Sequence, residues 1–457
     1  MSHPYIPNSI ERVKREMLSY IGVSSIEELY ASIPEEIRFK GKMNLPEPLR
    51  SEYELYRHMR EVLSRNVSCE DYLCFKGGGT WPHYVPAICD EIAGRAEFLT
   101  AYAGDPYEDH GRWQALFEFE SLMAELVDMD VVTVPIYSWG HAAGTAMRMA
   151  HRINGRREVL IPRTISPERF SVINNYVDPA LKLIKVDYDK ESGMMDIEDL
   201  KRKISEETAA VYFENPSYLG FIETRGKEIC EIAHEAGAIC IVGVDPSSLG
   251  VLEPPSHYGA DITVGDLQPL GIHMNFGGGL GGFLATRDEE EFVSEIPYRI
   301  FGLAKTVKEG EYGFGDVLFE RTSFEKREKA KEFVGTAAAS HGIIAAVYLS
   351  LLGPNGMREL GEAILQRSTY AMKVLSSIGL KAPKFKAPHF KEFVVEFPGR
   401  KSIEEINKEL LKEGIFGGID LRKHFPELGN SALYCFTEVH TKEDIDRLAD
   451  ALKRILG

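Results

Sequence analysis

The stretch Ile239-Cys-Ile-Val-Gly-Val244, closed by Asp245-Pro-Ser-Ser248 and followed by Asp261-Ile-Thr-Val-Gly-Asp266 and the run Gly277-Gly-Gly-Leu-Gly-Gly282, decides the fold. Short apolar runs rich in β-branched residues and bounded by turn formers read as buried strands of a parallel sheet. Similar runs occur at 131–137, 158–162, 181–187, 209–214 and 281–286, with the quoted pair at 239–244 and 262–264. Segments of helical spacing separate them at 142–152, 196–203 and 225–236. This alternation predicts an α/β fold with a mostly parallel sheet covered on both faces.

Outward from that core, residues 1–70 read as a helical arm, with a helix over 9–21 and a helix start at Ser24-Ser25-Ile-Glu-Glu28. A helix is expected over 114–128. A long helix over 324–352 is expected to stop at Gly353-Pro354. Helices over 358–378, 403–412 and 442–456 and strands over 391–397 and 431–437 then make a smaller α+β domain. The expected division is an arm (1–70), a large α/β domain (71–323), and a linking helix with a C-terminal domain (324–457).

The 457 residues carry a formal net charge of −17, which excludes a nucleic-acid or anionic-membrane surface. No apolar run approaches the ~18 residues of a membrane span. The N-terminus has no leader pattern, so a cytoplasmic protein is expected. The six cysteines show no metal-site spacing, and Cys230 and Cys240, in apolar runs, read as buried thiols. His83, His110, His141 and His273 are scattered over separate loops, so no metal site is expected.

Ligands of open α/β sheets sit at the carboxyl ends of the strands. There Asp245 has two roles open to it: pairing with a cationic ring nitrogen, or capping the turn with Pro246 and Ser247. Asn215, in Asn215-Pro-Ser-Tyr218, could face a ring or form a plain turn. Tyr137 and Ser138-Trp-Gly-His141 open a helix whose N-terminus suits a phosphate. The polar loop Tyr102-Ala-Gly-Asp-Pro-Tyr-Glu-Asp-His-Gly111 offers Tyr107, Glu108 and His110 for proton transfer. The glycine run lacks a P-loop pattern and reads as a place of close backbone approach.

The stretch from Ile239 to Gly282 resembles the cofactor-binding centre of pyridoxal phosphate (PLP) enzymes, which hold the cofactor as a Schiff base on a lysine. No lysine lies between Lys227 and Lys305, and Lys305 and Lys308 fall in an expected polar loop. Either a partner supplies the lysine or the chain is no PLP enzyme.

The chain resembles the first subunits of two-subunit glycine dehydrogenases (decarboxylating), the P-proteins of the glycine cleavage system. The resemblance lies in His83-Tyr-Val-Pro86, Arg95-Ala-Glu-Phe98, Gln114-Ala-Leu-Phe-Glu118, Gly265-Asp-Leu-Gln-Pro-Leu-Gly271, Asn275-Phe-Gly-Gly278 and Thr437-Glu-Val-His440. It implies a PLP-dependent fold type I scaffold and a partner subunit 2 that carries the Schiff-base lysine and binds PLP. In this chain Gln268 stands in the lysine's segment, and no cofactor is held covalently. It further implies an α/β pair, doubled into a heterotetramer, that decarboxylates glycine and passes the aminomethyl group to the lipoyl arm of the H-protein. His83, Tyr84, Tyr102, Tyr107, Glu108, His110, Tyr137, His141, Asn215, Asp245 and Gln268 become pocket or interface candidates.

The sequence departs from the family at 102–111, where members usually read Tyr-Thr-Pro-Tyr-Gln-Pro-Glu-Ile-Ser-Gln-Gly, and at Lys331-Glu-Phe-Val334, where they read Thr-Ser-Asn-Ile. Alternatives are therefore a paralogous subunit acting on another amino acid and a non-catalytic assembly partner.

Overall fold

The structure, a computed structural model, describes residues 5–6, 10–98, 112–275, 280–332 and 338–457. It divides into two compact units, Met1–Val67 and Ser68–Gly457.

The first unit holds α1 (Glu11–Ile21), α2 (Ile26–Leu29) and α3 (Glu52–Leu63). The expected helix start at Ser25 is a capping box with Glu28. Leu18 is the one buried side chain among this unit's described residues.

The second unit opens with β1 (Leu73–Cys74), α4 (Ala87–Ala93) and α5 (Trp113–Val127). The main sheet and its helices follow: β2 (Val131–Val132), α6 (Trp139–Asn154), β3 (Glu158–Pro162), α7 (Pro167–Val177), β4 (Lys182–Val186) and α8 (Ile197–Lys203). They continue as β5 (Thr208–Glu214), α9 (Gly226–Glu235), β6 (Ile239–Val244), β7 (Ile262–Asp266) and β8 (Gly282–Thr286). Strand order is β2-β8-β7-β6-β5-β3-β4. The strands from β4 across to β7 run parallel, and β8 and β2 pair antiparallel at the other edge.

The expected α/β sheet is therefore present, and the uniform apolarity of its strands follows from burial on both faces. Ile239 and Ile241 join one apolar cluster and Cys240 and Val242 the other. Pairing of Glu214 with Gly243 and of Val244 with Gly265 lines up the carboxyl ends of β5, β6 and β7. Glu214, Asp245 and Asp266 thus gather at one edge.

Beyond the sheet come α10 (Glu290–Val293), the antiparallel hairpin β9 (Phe301–Lys305) and β10 (Tyr312–Asp316), and α11 (Ser323–Lys326). Next are α12 (Ala339–Ser377), β11 (Glu392–Glu396), α13 (Ile403–Lys412), β12 (Ile415–Phe416), β13 (Ile419–Asp420), β14 (Ser431–Cys435) and α14 (Lys442–Leu456). Strands β11, β14 and β13 form an antiparallel sheet. Strand β1 pairs with β12, and Phe75 bonds both to Phe416 and to Cys435. This pairing leads residues 77–84 away from the small sheet toward the strand ends.

Several expectations need correction. The 131–137 strand shortens to β2 because Pro135 lacks an N–H donor; Ile136 then makes an isolated bridge to Gly282. Helix α6 starts at Trp139, earlier than expected, because the Ser138 side chain accepts a bond from His141 N–H. Helix α7, capped by Ser166, was not anticipated, and the expected polar loop at 306–312 proves to be the exposed turn of a hairpin whose strands β9 and β10 were not anticipated. The 324–352 helix begins only at Ala339, since Arg327 at φ +50° turns the chain out of α11. The break at Gly353 is as expected: its φ of 61° and ψ of −175° are non-helical. Finally, Cys230 and Cys240 are not free thiols but a disulfide. Packing of α9 on β6 brings their Cα atoms to 5.4 Å.

The last glycine of the run is where two backbones meet. Gly282 exchanges hydrogen bonds with Ile136, and a Cβ there would lie 2.3 Å from the Ser138 carbonyl oxygen. Gly282→Ala is expected to destabilise the chain by about 1–3 kcal/mol, read as a lower urea midpoint at unchanged m-value.

Candidate active site

Asp245 ends β6 and does both things the sequence left open to it. One carboxylate oxygen accepts from the N–H (3.1 Å) and hydroxyl (2.8 Å) of Ser247, which is the cap. The other lies 2.6 Å from the ammonium of Lys391, the residue that leads into β11. Lys391 is 2% exposed. Its Nζ lies 3.8 Å above the Trp81 ring and donates to Nε2 of His83 (3.0 Å) and Oγ of Ser247 (3.3 Å).

With Nε2 of His83 accepting, the imidazole proton sits on Nδ1 and is donated to Glu438 at 2.8 Å. Glu438 also accepts from Tyr84 N–H at 2.8 Å. Burial opposes its charge, while the hydrogen bonds from His83 and Tyr84 N–H hold its carboxyl below its ordinary value.

Gln268 follows β7 and is fully engaged. Its carbonyl accepts from Trp81 N–H (3.0 Å), and its amide donates to the carbonyls of Trp81 (3.1 Å) and Ile272 (3.0 Å). Gln268 is therefore a clamp on the 77–84 segment.

A second buried group lies at the end of β5. Arg169, from α7, makes a bidentate pair with Glu214 at 2.8 and 2.7 Å and stacks 4.1 Å above Trp139. Tyr212 bridges the two, donating to Glu214 and accepting from Trp139 Nε1, each at 3.0 Å. Burial disfavours the guanidinium charge, yet Glu214 more than offsets this and raises the pKa of Arg169. Beside it a cleft of about 380 Å³ opens at the start of α6, lined by Gly79, Ser138, Trp139, Arg169, Tyr218 and Asp266.

The donor set does not fit covalent PLP. The carboxylate that would face a ring nitrogen is committed to Lys391, and Gln268 has no amine. Lys305 and Lys308 are exposed on the β9–β10 hairpin.

The model of the glycine cleavage system P-protein family matches residues 3–452. The chain belongs to this family. Among P-protein relatives, the probable glycine dehydrogenase (decarboxylating) subunit 1 of Staphylothermus marinus is 42% identical over 468 residues, covering 100% of this chain and 99% of that protein. The protein of the same description from Pyrococcus furiosus is 43% identical over 462 residues, covering both chains fully. The crystal structure of glycine decarboxylase (P-protein) in inhibitor-bound form superposes with a TM-score of 0.84 at 34% identity, covering 100% of each chain. Sphingosine-1-phosphate lyase of Burkholderia pseudomallei, at 15% identity and a TM-score of 0.64 over 93% of this chain and 94% of the lyase, shares the fold alone. The scaffold is fold type I, as the resemblance implied.

Of the residues singled out in this P-protein chain, His83 and Asp245 meet at Lys391, and Gln268 reaches the same cluster through Trp81. Tyr84 contributes its backbone and leaves its ring exposed. Tyr137 and His141 stack at 5.0 Å; His141 is buried, which pushes its imidazole down to about 4, and it bonds to Tyr298 at 3.1 Å. Asn215 pins the following turn through the Glu223 backbone. Tyr102, Tyr107, Glu108 and His110 lie outside the described residues.

Sequence reasoning missed Lys391, Arg169 and Glu392. The available signal was the Lys-Glu pair inside the apolar run Phe390-Lys-Glu-Phe-Val-Val395, since ions at such positions need buried partners.

Arg169→Met leaves Glu214 buried without its cation and is expected to cost about 3–5 kcal/mol, measured by chemical denaturation. A pH dependence follows from Glu392 and Asp266. Burial pushes both carboxyls up to about 7, despite bonds to the first from Gly78 N–H and to the second from Gln268 N–H. Between their ordinary values (4.5 and 3.8) and about 7, the folded chain keeps protons that the unfolded chain has released. Stability therefore falls as pH rises through that window. Glu438 has the opposite sign but acts only below 4.5. Glu392→Gln is expected to reduce the loss of stability between pH 5 and 8 by up to about 3 kcal/mol, seen as a flatter plot of unfolding free energy against pH.

Proposed function

We propose that this chain is the subunit of a two-subunit glycine dehydrogenase (decarboxylating) that does not carry the Schiff-base lysine. Its partner, subunit 2, would bind PLP on its own lysine, and the pair would double into a heterotetramer in the cytoplasm. The complex decarboxylates glycine and hands the aminomethyl group to the lipoyl arm of the H-protein. Bound to the partner, the cofactor supplies the electron sink for decarboxylation.

The observation that carries this reading is the engagement of Gln268. An amide with three hydrogen bonds to Trp81 and Ile272 occupies the segment where a PLP enzyme keeps its lysine. Full-length likeness to proteins described as subunit 1 points to a second subunit. Among the described residues no helix is long and apolar enough to cross a membrane. This chain's part is then to complete the fold of the pair and to present exposed rings such as Tyr84 and Tyr137 toward the pocket or the interface.

The test compares this chain alone, its lysine-bearing partner alone, and the co-expressed pair. The expected result is one PLP per pair, fixed by borohydride on the partner, with exchange of ¹⁴C-bicarbonate into glycine only in the complex. Cofactor fixed on this chain would overturn the assignment. PLP in the complex without glycine exchange would move the substrate to another amino acid.

A further inference from the structure

Lys391 is a buried charge with no part in the proposed reaction. A buried ammonium costs several kcal/mol in lost hydration unless every proton is matched. Here the match is complete: Asp245 at 2.6 Å, His83 Nε2 at 3.0 Å and Ser247 Oγ at 3.3 Å surround it, and the face of Trp81 lies 3.8 Å away. These partners come from two separate parts of the chain, the turn after β6 and the 77–84 segment, while the lysine itself comes from the edge of the small sheet. The matching extends outward, since His83 is fixed by Glu438 and Trp81 by Gln268.

We propose that Lys391 is an internal stand-in for the ring cation of the cofactor. Its ammonium occupies the place opposite Asp245 and holds the small sheet against the large one. The site it fills is a built receptor for a primary alkylammonium, occupied by the chain's own side chain. The subunit is thus held in one arrangement without any ligand. This rests on the reading of the chain as the subunit that carries no PLP. Its test does not measure glycine exchange, so either idea can fail without the other.

The experiment is a thermal unfolding series on the full-length chain. Lys391→Ala opens the site and is expected to lower the midpoint by about 5 °C or more. Propylammonium chloride at tens of millimolar should restore at least half of that loss relative to equal potassium chloride, while propanol should not; the wild-type chain should respond to neither. Lys391→Met with Asp245→Asn removes both charges at similar volume and should return the midpoint close to the wild-type value. An unchanged midpoint in Lys391→Ala, or rescue by propanol equal to that by propylammonium, would overturn the proposal. If Lys391→Ala does not fold, the double variant decides. Recovery near the wild-type midpoint upholds a matched charge pair, and failure to fold shows a packing role and refutes it.

Discussion

The contact between Lys391 and Asp245 sets the character of this molecule. An ion pair at 2.6 Å with both partners almost wholly excluded from water is not a generic stabiliser, because removing two charges from water consumes most of what their attraction returns. Its value lies in specificity. The ammonium tolerates one geometry, in which Asp245 is already held by Ser247 and His83 is already oriented by Glu438. Small sheet, 77–84 segment and strand ends are therefore positioned by the same few atoms.

Around that pair the carboxyl edge of the sheet divides its charges. Glu214 is matched by Arg169, and Asp245 by Lys391, while burial pushes Asp266 and Glu392 toward the neutral form. The edge where a PLP enzyme collects cofactor contacts is here mostly satisfied from within. The P-protein family membership and the absent lysine describe one arrangement: the scaffold is retained, and its central contacts are internal.

Much of the fold was legible in the sequence because β5, β6 and β7 are buried on both faces and announce themselves as unbroken apolar runs. Strand Glu158–Pro162, strand Ile239–Val244 and the helices Ile403–Lys412 and Lys442–Leu456 are read with their boundaries intact. Misreadings fall where local signals compete. Pro135 truncates an apolar run, and the charged 324–329 stretch looks helical yet turns at Arg327. The site was legible in part, through His83, Asp245 and Gln268. Asp245 and Gln268 stand at strand ends, where topology directs attention, whereas Lys391 precedes a strand of another sheet. Nothing local says which carboxylate, 146 residues earlier in sequence, it will meet.

The pairing of β1 with β12 bears on how the chain must be made. Residues near position 74 find their hydrogen-bond partners far along the chain; His440 bonds to the Cys74 carbonyl across 366 residues. Until residues 415–440 have been made, that edge and the ring of Phe75 lack those partners. Contacts of such long range are slow to form and leave apolar surface open meanwhile. A ribosome stalled before residue 415 would therefore hold a chain whose large sheet is complete but whose 73–75 segment is unpaired. Proteolysis in the 70–84 region would be the first sign of it.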